Sequence, residues 1–216
     1  GNAVRNWAIV NKEKRIALTI HKMDESVDSG PIVIKKYLNI NSETNIGELY
    51  KFVEEHLPDL FVKAITGLSS GEIIPKKQPS SKSSALRCYP RFPIDSEINW
   101  NSNSEDILSL IKASSAPFNG AYSFINGEKI IIWDAYCHNP RFNYLATPGQ
   151  VVDRDIQKKE VSVATGSGFL VIKDAETSLL GRQSPINLIK TIRTRFGFNV
   201  SEELKHINRK IENLEK

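Results

Sequence analysis

The chain is poor in sulfur. Two cysteines, Cys88 and Cys137, stand far apart with no CxxC or CxH spacing, and Met23 is the only methionine. That usage excludes a disulfide framework and a cysteine-based metal site, and it points to thiols held in a reducing, cytoplasmic compartment. Long apolar runs are missing as well: none approaches the ~20 residues that span a bilayer. The opening GNAVRNWAIV lacks the basic, apolar and small-residue order of a secretory signal. Without an initiator Met it reads as a cut or processed end. No internal repeat is present, and no strong excess of either charge. Twenty-nine Lys and Arg against 25 Asp and Glu leave +4, spread along the chain. Ordinary surface lysines account for that balance, and it is also compatible with an anionic partner such as a nucleotide.

What is present is an ordinary globular composition, 40% hydrophobic and 25% charged over 216 residues, enough for one large or two small domains. WAIVNKEKRIALTIHKM reads as strand material around a polar turn, with Ile16, Leu18 and Ile20 at period two. IVIKKYLNI reads as a second strand. From Asn45 the period changes to that of an amphipathic helix, through Ile46, Leu49, Val53, Leu57, Leu60, Phe61 and Ile65. Thr44 or Ser42 is the expected N-cap, and Pro58 should kink the helix or start a new one. SSGEIIPKKQPSSKSSALR then breaks the pattern and reads as a linker. The expected organisation is therefore a first unit over 1–70, a linker over 71–87, a second unit over 88–180 and a helical tail over 181–216.

In the second unit, Ser102 and Glu105 have capping-box spacing ahead of a short helix, Glu105 to Ala113. GAYSFINGEKIIIWDAY has the form of a hairpin around Asn126-Gly127. PGQVVDRD, EVSVATG and FLVIKDAE supply three more short strands. Strands so closely spaced fit a small, open five-stranded OB-like barrel. After Ser184 the chain reads as helical, with Val200, Leu204, Ile207, Ile211 and Leu214 forming a packing face.

One segment combines charge and turn residues in a way that calls for two readings. HKMDESVDSG, His21 to Gly30, holds three acids, Asp24, Glu25 and Asp28, between two strand-like runs. Taken alone they are solvated residues of a strand-end turn. They are equally placed to present a carboxylate from a loop, with Gly30 permitting backbone close to a ligand. Trp7 and Trp100 read as core or junction residues rather than stacking platforms. Arg91, Lys112 and Arg182 read as surface cations before phosphate ligands.

The flanks of that segment resemble the folate-dependent formyltransferases, in the part of their chain that follows an HPSLLPxYRG stretch. The family pattern there is roughly GxxPxxWAI…TxHxMxxxxDxG, matched by Gly1, Trp7, Ala8, Ile9, Thr19, His21, Met23, Asp28 and Gly30. Val4 stands where a proline is usual, and Asn2 where an arginine is common. INWNSNSEDILSLIKASSAPFNGAYS resembles the IDW…IRA…PGA signature of the same family, and PGQVV with VSVATGSGFLVI resembles its carboxy-terminal domain. The resemblance covers roughly residues 1 to 175. It implies an α/β fold: the C-terminal part of a Rossmann-like formyltransferase domain, then an OB-like small β-barrel domain and the helical tail.

It also implies a chemistry, transfer of a formyl group from the co-substrate N10-formyltetrahydrofolate to a primary amine. The family uses an Asn, a His and an Asp. Asp28 matches the Asp, whereas the Asn and His belong to an N-x-H-x-S stretch upstream of Gly1. None of His21, His56, His138 and His206 lies in such a motif. The resemblance further implies a folate pocket formed by Asn2, Asp24, Glu25, Ser26, Val27 and Asp28, largely through backbone groups. His21 reads as a strand residue or structural contact rather than a base.

The acceptor remains open among three readings. An amino group on a nucleotide-linked sugar comes first, because RFPIDSEINW carries the Arg-x-Pro-x-Asp pattern of aminoarabinose-type members. Methionyl-tRNA is the second; it calls for a basic stripe interleaved with aromatics on the second unit, and the charges over 88–175 are mixed. The third is a non-catalytic assembly module whose barrel and tail form a homodimer. No metal and no membrane enter any of them.

Overall fold

In a computed structural model the described residues are 3–79, 86–138 and 144–197, with Leu204, Ile207, Asn208 and Ile211. The chain divides into two compact units, Gly1–Arg91 and Phe92–Lys216. Each builds its own core.

The first unit runs α1 (Val4–Val10), β1 (Arg15–His21), β2 (Ile32–Asn39) and α2 (Ile46–Ser69). WAIV is helical in α1, not the strand material expected over WAIVNKEKRIALTIHKM. Packing overrides propensity here, since Asn6, Ala8 and Ile9 of this helix are buried. The polar turn that follows is the helix C-terminus: Asn11 donates to Trp7 O, Lys12 to Ile9 O and Glu13 to Ala8 O. β1 and β2 pair antiparallel from Arg15↔Asn39 to Ile20↔Ile34, then slip so that His21 faces Ile32.

Asn45, rather than Thr44 or Ser42, caps α2. Its side chain accepts from Glu48 N at 3.1 Å, and Glu48 Oε1 accepts from Asn45 N at 3.4 Å, a reciprocal capping box. Thr44 is engaged one step earlier, donating from N and Oγ1 to Asn41 Oδ1. The helix continues through Pro58 as one element. Its apolar stripe buries Ile46, Leu49, Phe52, Leu60 and Ala64. The residues that open the expected linker are fastened to this unit. Ile73 N donates to Gly67 O, and Lys76 exchanges both backbone hydrogen bonds with Ile32, at 2.7 and 2.8 Å.

The second unit starts with a 3-10 turn at Pro93–Ser96 and α3 (Ser104–Ser114), whose N-cap is Asn103 accepting from Asp106 N at 2.8 Å, not Ser102. β3 (Ala121–Ile125), β4 (Glu128–His138), β5 (Val151–Asp155), β6 (Glu160–Ala164) and β7 (Phe169–Thr177) form one antiparallel sheet in the order β3-β4-β7-β6-β5. β8 (Gly181–Gln183), which the strand pattern did not reveal, pairs with the far end of β7. No pairing joins β5 back to β3 among the described residues, so the sheet is open and a closed barrel is not formed there. Asn126 and Gly127 turn the β3–β4 hairpin with φ of 50° and 79°, the left-handed pair that matches strand twist.

The core of this unit is α3 packed on the sheet, with Ile107, Ile111, Ile130, Ile132, Leu170 and Ile172 almost fully buried. Burying each such side chain is worth about 1.5–3 kcal/mol relative to exposure. Trp100 joins this core, its Nε1 donating to Ser123 Oγ at 2.9 Å and its ring 4.8 Å from that of Phe196. The expected helix after Ser184 is short: α4 covers Pro185–Leu188. Residues 189–197 then lie along the sheet instead, with Val151 N donating to Thr194 O and Phe196 N to Gly149 O. Leu204, Ile207, Asn208 and Ile211 are helical, whereas Val200 and Leu214 lie outside the described residues.

Candidate functional site

The loop between β1 and β2 carries the acidic segment, and its shape follows from a few local contacts. Lys22 N donates to Pro31 O at 2.9 Å, closing the base. Gly30 is buried there because a Cβ would stand 1.7 Å from Lys22 O; no other residue fits without moving backbone. At the tip, Asp24 Oδ1 accepts from Ser26 N at 3.1 Å and from Ser29 Oγ at 2.5 Å. These two bonds, the serine hydroxyl foremost, hold the Asp24 carboxyl below its ordinary value of 3.8. Asp24 therefore folds the loop with its side chain, whereas Glu25 and Ser26 are exposed and Val27 is 92% exposed.

Asp28 differs from its neighbours. Its φ of 57° lies in the left-handed region, which a short polar side chain tolerates better than most. The carboxylate, 65% exposed, sits with Oδ1 3.7 Å from Nε2 of His21, an ion pair when the ring is protonated. His21 is oriented from its other side, where Nδ1 lies 2.9 Å from Lys22 O. A carbonyl can only accept, so Nδ1 carries the proton and Nε2 is the nitrogen that faces Asp28. The strand slip between Ile20 and His21 is what brings this ring to the loop. His21 is the last residue of β1, and nothing in the period-two pattern of that strand connects it with Asp28.

A further contact was not legible at all. Gln78, half-buried and 50 positions from Asp28, donates from Nε2 to Asp28 O and to Gly30 O, both at 2.8 Å. In sequence it is a lone amide in a Pro- and Ser-rich stretch, and nothing in that composition marks it.

The remaining candidates are placed elsewhere. Asn2 lies outside the described residues; its neighbour Ala3 lines a cleft of about 260 Å³ with Arg5, Asn6, Leu18 and Tyr50. Trp7 donates from Nε1 to Tyr89 O at 2.9 Å, and the Arg91 guanidinium lies 5.8 Å from its ring. Lys112 faces Asp134 at 3.8 Å, and Arg182 contacts Asp174 at 2.6 Å while stacking on Trp133. These two cations are matched to carboxylates of the same sheet. Among the described residues no group of three or more His, Cys, Asp or Glu could hold a metal ion. None of the described helices is long and apolar enough to cross a membrane.

The fold and the loop together define a class: a mixed α/β protein whose amino-terminal unit presents an acid and an imidazole from one strand-loop-strand element. The chain belongs to the formyl transferase family, with residues 1–65 matching the model described as formyl transferase and residues 92–180 its C-terminal domain. Methionyl-tRNA formyltransferase of Clostridium tetani is 35% identical over 176 residues, 80% of this chain and 54% of that protein. The chain thus spans about half the length of the curated relatives it matches. Among solved structures, HypX from Aquifex aeolicus in complex with tetrahydrofolic acid has a TM-score of 0.63 at 17% identity, over 89% of this chain and 33% of that one. An N-formyltransferase from Helicobacter canadensis, in complex with folinic acid and dTDP-3-aminofucose, has a TM-score of 0.59 at 22% identity, over 79% and 59%. At these identities the two structures establish likeness of fold.

Proposed function

We infer that this chain contributes to transfer of a formyl group from N10-formyltetrahydrofolate to a primary amine. The observation that carries this is the His21–Gly30 loop, where the family motif coincides with a left-handed, exposed Asp28 beside a tautomerically defined His21. In this reading the neutral amine adds to the formyl carbon, and the resulting tetrahedral oxyanion collapses as the folate N10 leaves. The amine must lose a proton and N10 must gain one. Asp28 serves that exchange, taking a proton directly or through one water, with His21 beside it as an ion-pair partner when its ring is protonated. Oxyanion stabilisation falls to the family's Asn, which the resemblance locates upstream of Gly1. Backbone groups of Asp24 to Val27, with Asn2, read the pterin edge. The six-stranded sheet of the second unit takes the place of the OB-like domain in this scheme.

For the acceptor, the 35% identity to a methionyl-tRNA formyltransferase favours methionyl-tRNA. An amino sugar carried on a nucleotide is the second reading, supported by Arg91, Pro93 and Asp95 and by the fold likeness to an amino-sugar enzyme. The test is formyl transfer from labelled N10-formyltetrahydrofolate, offered Met-tRNA and dTDP-linked amino sugars in parallel. It is run with the chain alone and with the chain joined behind the amino-terminal half of the C. tetani relative. Formylated Met-tRNA supports the first reading, formylated sugar the second, and no transfer in either format overturns both. Asp28→Asn should lower the turnover of an active form by about 10²- to 10⁴-fold.

A further inference from the structure

A left-handed aspartate does not hold itself. Each non-glycine residue in that region costs roughly 1–2 kcal/mol against the right-handed alternatives, so surrounding bonds must determine it. Asp28 lies in an exposed loop, with Val27 before it 92% exposed and Ser29 after it turned toward Asp24. An amide from far along the sequence reaches this backbone.

We propose that Gln78 is a positioning residue that locks the loop backbone so that the Asp28 carboxylate stands where the ligand needs it; this rests on the folate reading above. Both protons of its terminal amide are used, one on Asp28 O and one on Gly30 O, each at 2.8 Å. Two carbonyl partners admit only the nitrogen at that position, so the orientation of the amide is dictated by chemistry. The two carbonyls bracket Ser29, whose hydroxyl is tied to Asp24, and the clamp therefore spans the turn that carries Asp28.

Gln78 is itself well anchored. Lys76, two residues earlier, is bonded on both backbone groups to Ile32 at the start of β2. Pro79 follows Gln78 directly and biases it to an extended backbone. The result is a strut from the sheet to the reactive loop. It constrains the backbone of Asp28 and leaves the carboxylate exposed.

The experiment uses the 216-residue chain and two near-isosteric variants, Gln78→Met and Gln78→Glu. Backbone 15N order parameters are read at Asp28, Ser29 and Gly30, and 5-formyltetrahydrofolate is titrated by calorimetry. In the unmodified chain the three amides should have order parameters near ~0.85, falling below ~0.6 in Gln78→Met. Affinity for 5-formyltetrahydrofolate should fall about tenfold or more, with the unfolding midpoint nearly unchanged. Gln78→Glu carries the sharper signature. As a carboxylate it opposes two carbonyls and should loosen the loop. Protonated, it regains one donor, so order and affinity should recover as the pH is lowered through the carboxyl's titration. A simple packing role would show no such recovery. Order at 28–30 unchanged in Gln78→Met, or a Gln78→Glu loop indifferent to pH, overturns the proposal. If the unmodified chain does not bind 5-formyltetrahydrofolate, the folate reading fails, and the order parameters alone decide whether the clamp exists.

Discussion

Single residues of the His21–Gly30 loop divide into those that shape it and one that it presents. Gly30 shapes it by absence of a side chain, because the space a Cβ would take is filled by the Lys22 carbonyl. Gly30→Ala should therefore destabilise the first unit by about 1–3 kcal/mol, the usual cost of overpacking, as read from urea unfolding of that unit. Asp24 shapes the loop through its charge. Its folded carboxyl titrates below the ordinary 3.8, held there first by Ser29 Oγ and then by Ser26 N. For an acid lowered in this way, the contribution is complete above the unfolded value and is lost as pH falls through the folded one. The Asp24 ties should thus be fully present above the ordinary 3.8 and weaken only as the pH falls below it, through the lowered folded value. Ser29→Ala should raise the Asp24 midpoint toward its ordinary value, measured by carboxyl-carbon NMR titration. Asp28 was legible as a candidate from its flanks. Its left-handed backbone and the Gln78 amide that reaches its carbonyl were not, because neither leaves a pattern in the residues around it and the amide lies some 50 positions away.

Elements were legible where one face is buried and the turn chemistry is strong. The β3–β4 hairpin around Asn126-Gly127 and the α2 stripe both follow from spacing that survives tertiary packing. α1 did not, since the seven residues VRNWAIV are too few for their period to separate helix from strand. Which polar residue caps α2 was also ambiguous, with Ser42, Thr44 and Asn45 all eligible. The fold chooses Asn45 by drawing Thr44 back onto Asn41. Asn45→Ala should cost about 1 kcal/mol in the stability of the first unit, whereas Ser42→Ala should change it by less than ~0.5 kcal/mol. Comparable losses from both, in equilibrium denaturation, would contradict the assignment.

The molecule is organised as two units with separate cores, and the two matched family models fall one on each. Ile132, fully buried in the second, is the residue with which to test that separation. Ile132→Ala should cost about 2–5 kcal/mol in unfolding of the second unit, and amide exchange in the His21–Gly30 loop should stay as it was. By itself, the sequence determined the two-part plan, the formyltransferase kinship and the carboxylate worth testing, since these rest on local motifs, period and turn residues. Tertiary structure alone decided that WAIV is helical, that residues 189–197 return to the sheet, that Gly30 packs against Lys22, and that His21 and Gln78 converge on Asp28. The physical reason is common to them all. A hydrogen bond or steric contact between residues that are not adjacent in sequence leaves no periodic trace in either, and only folding brings its two halves together.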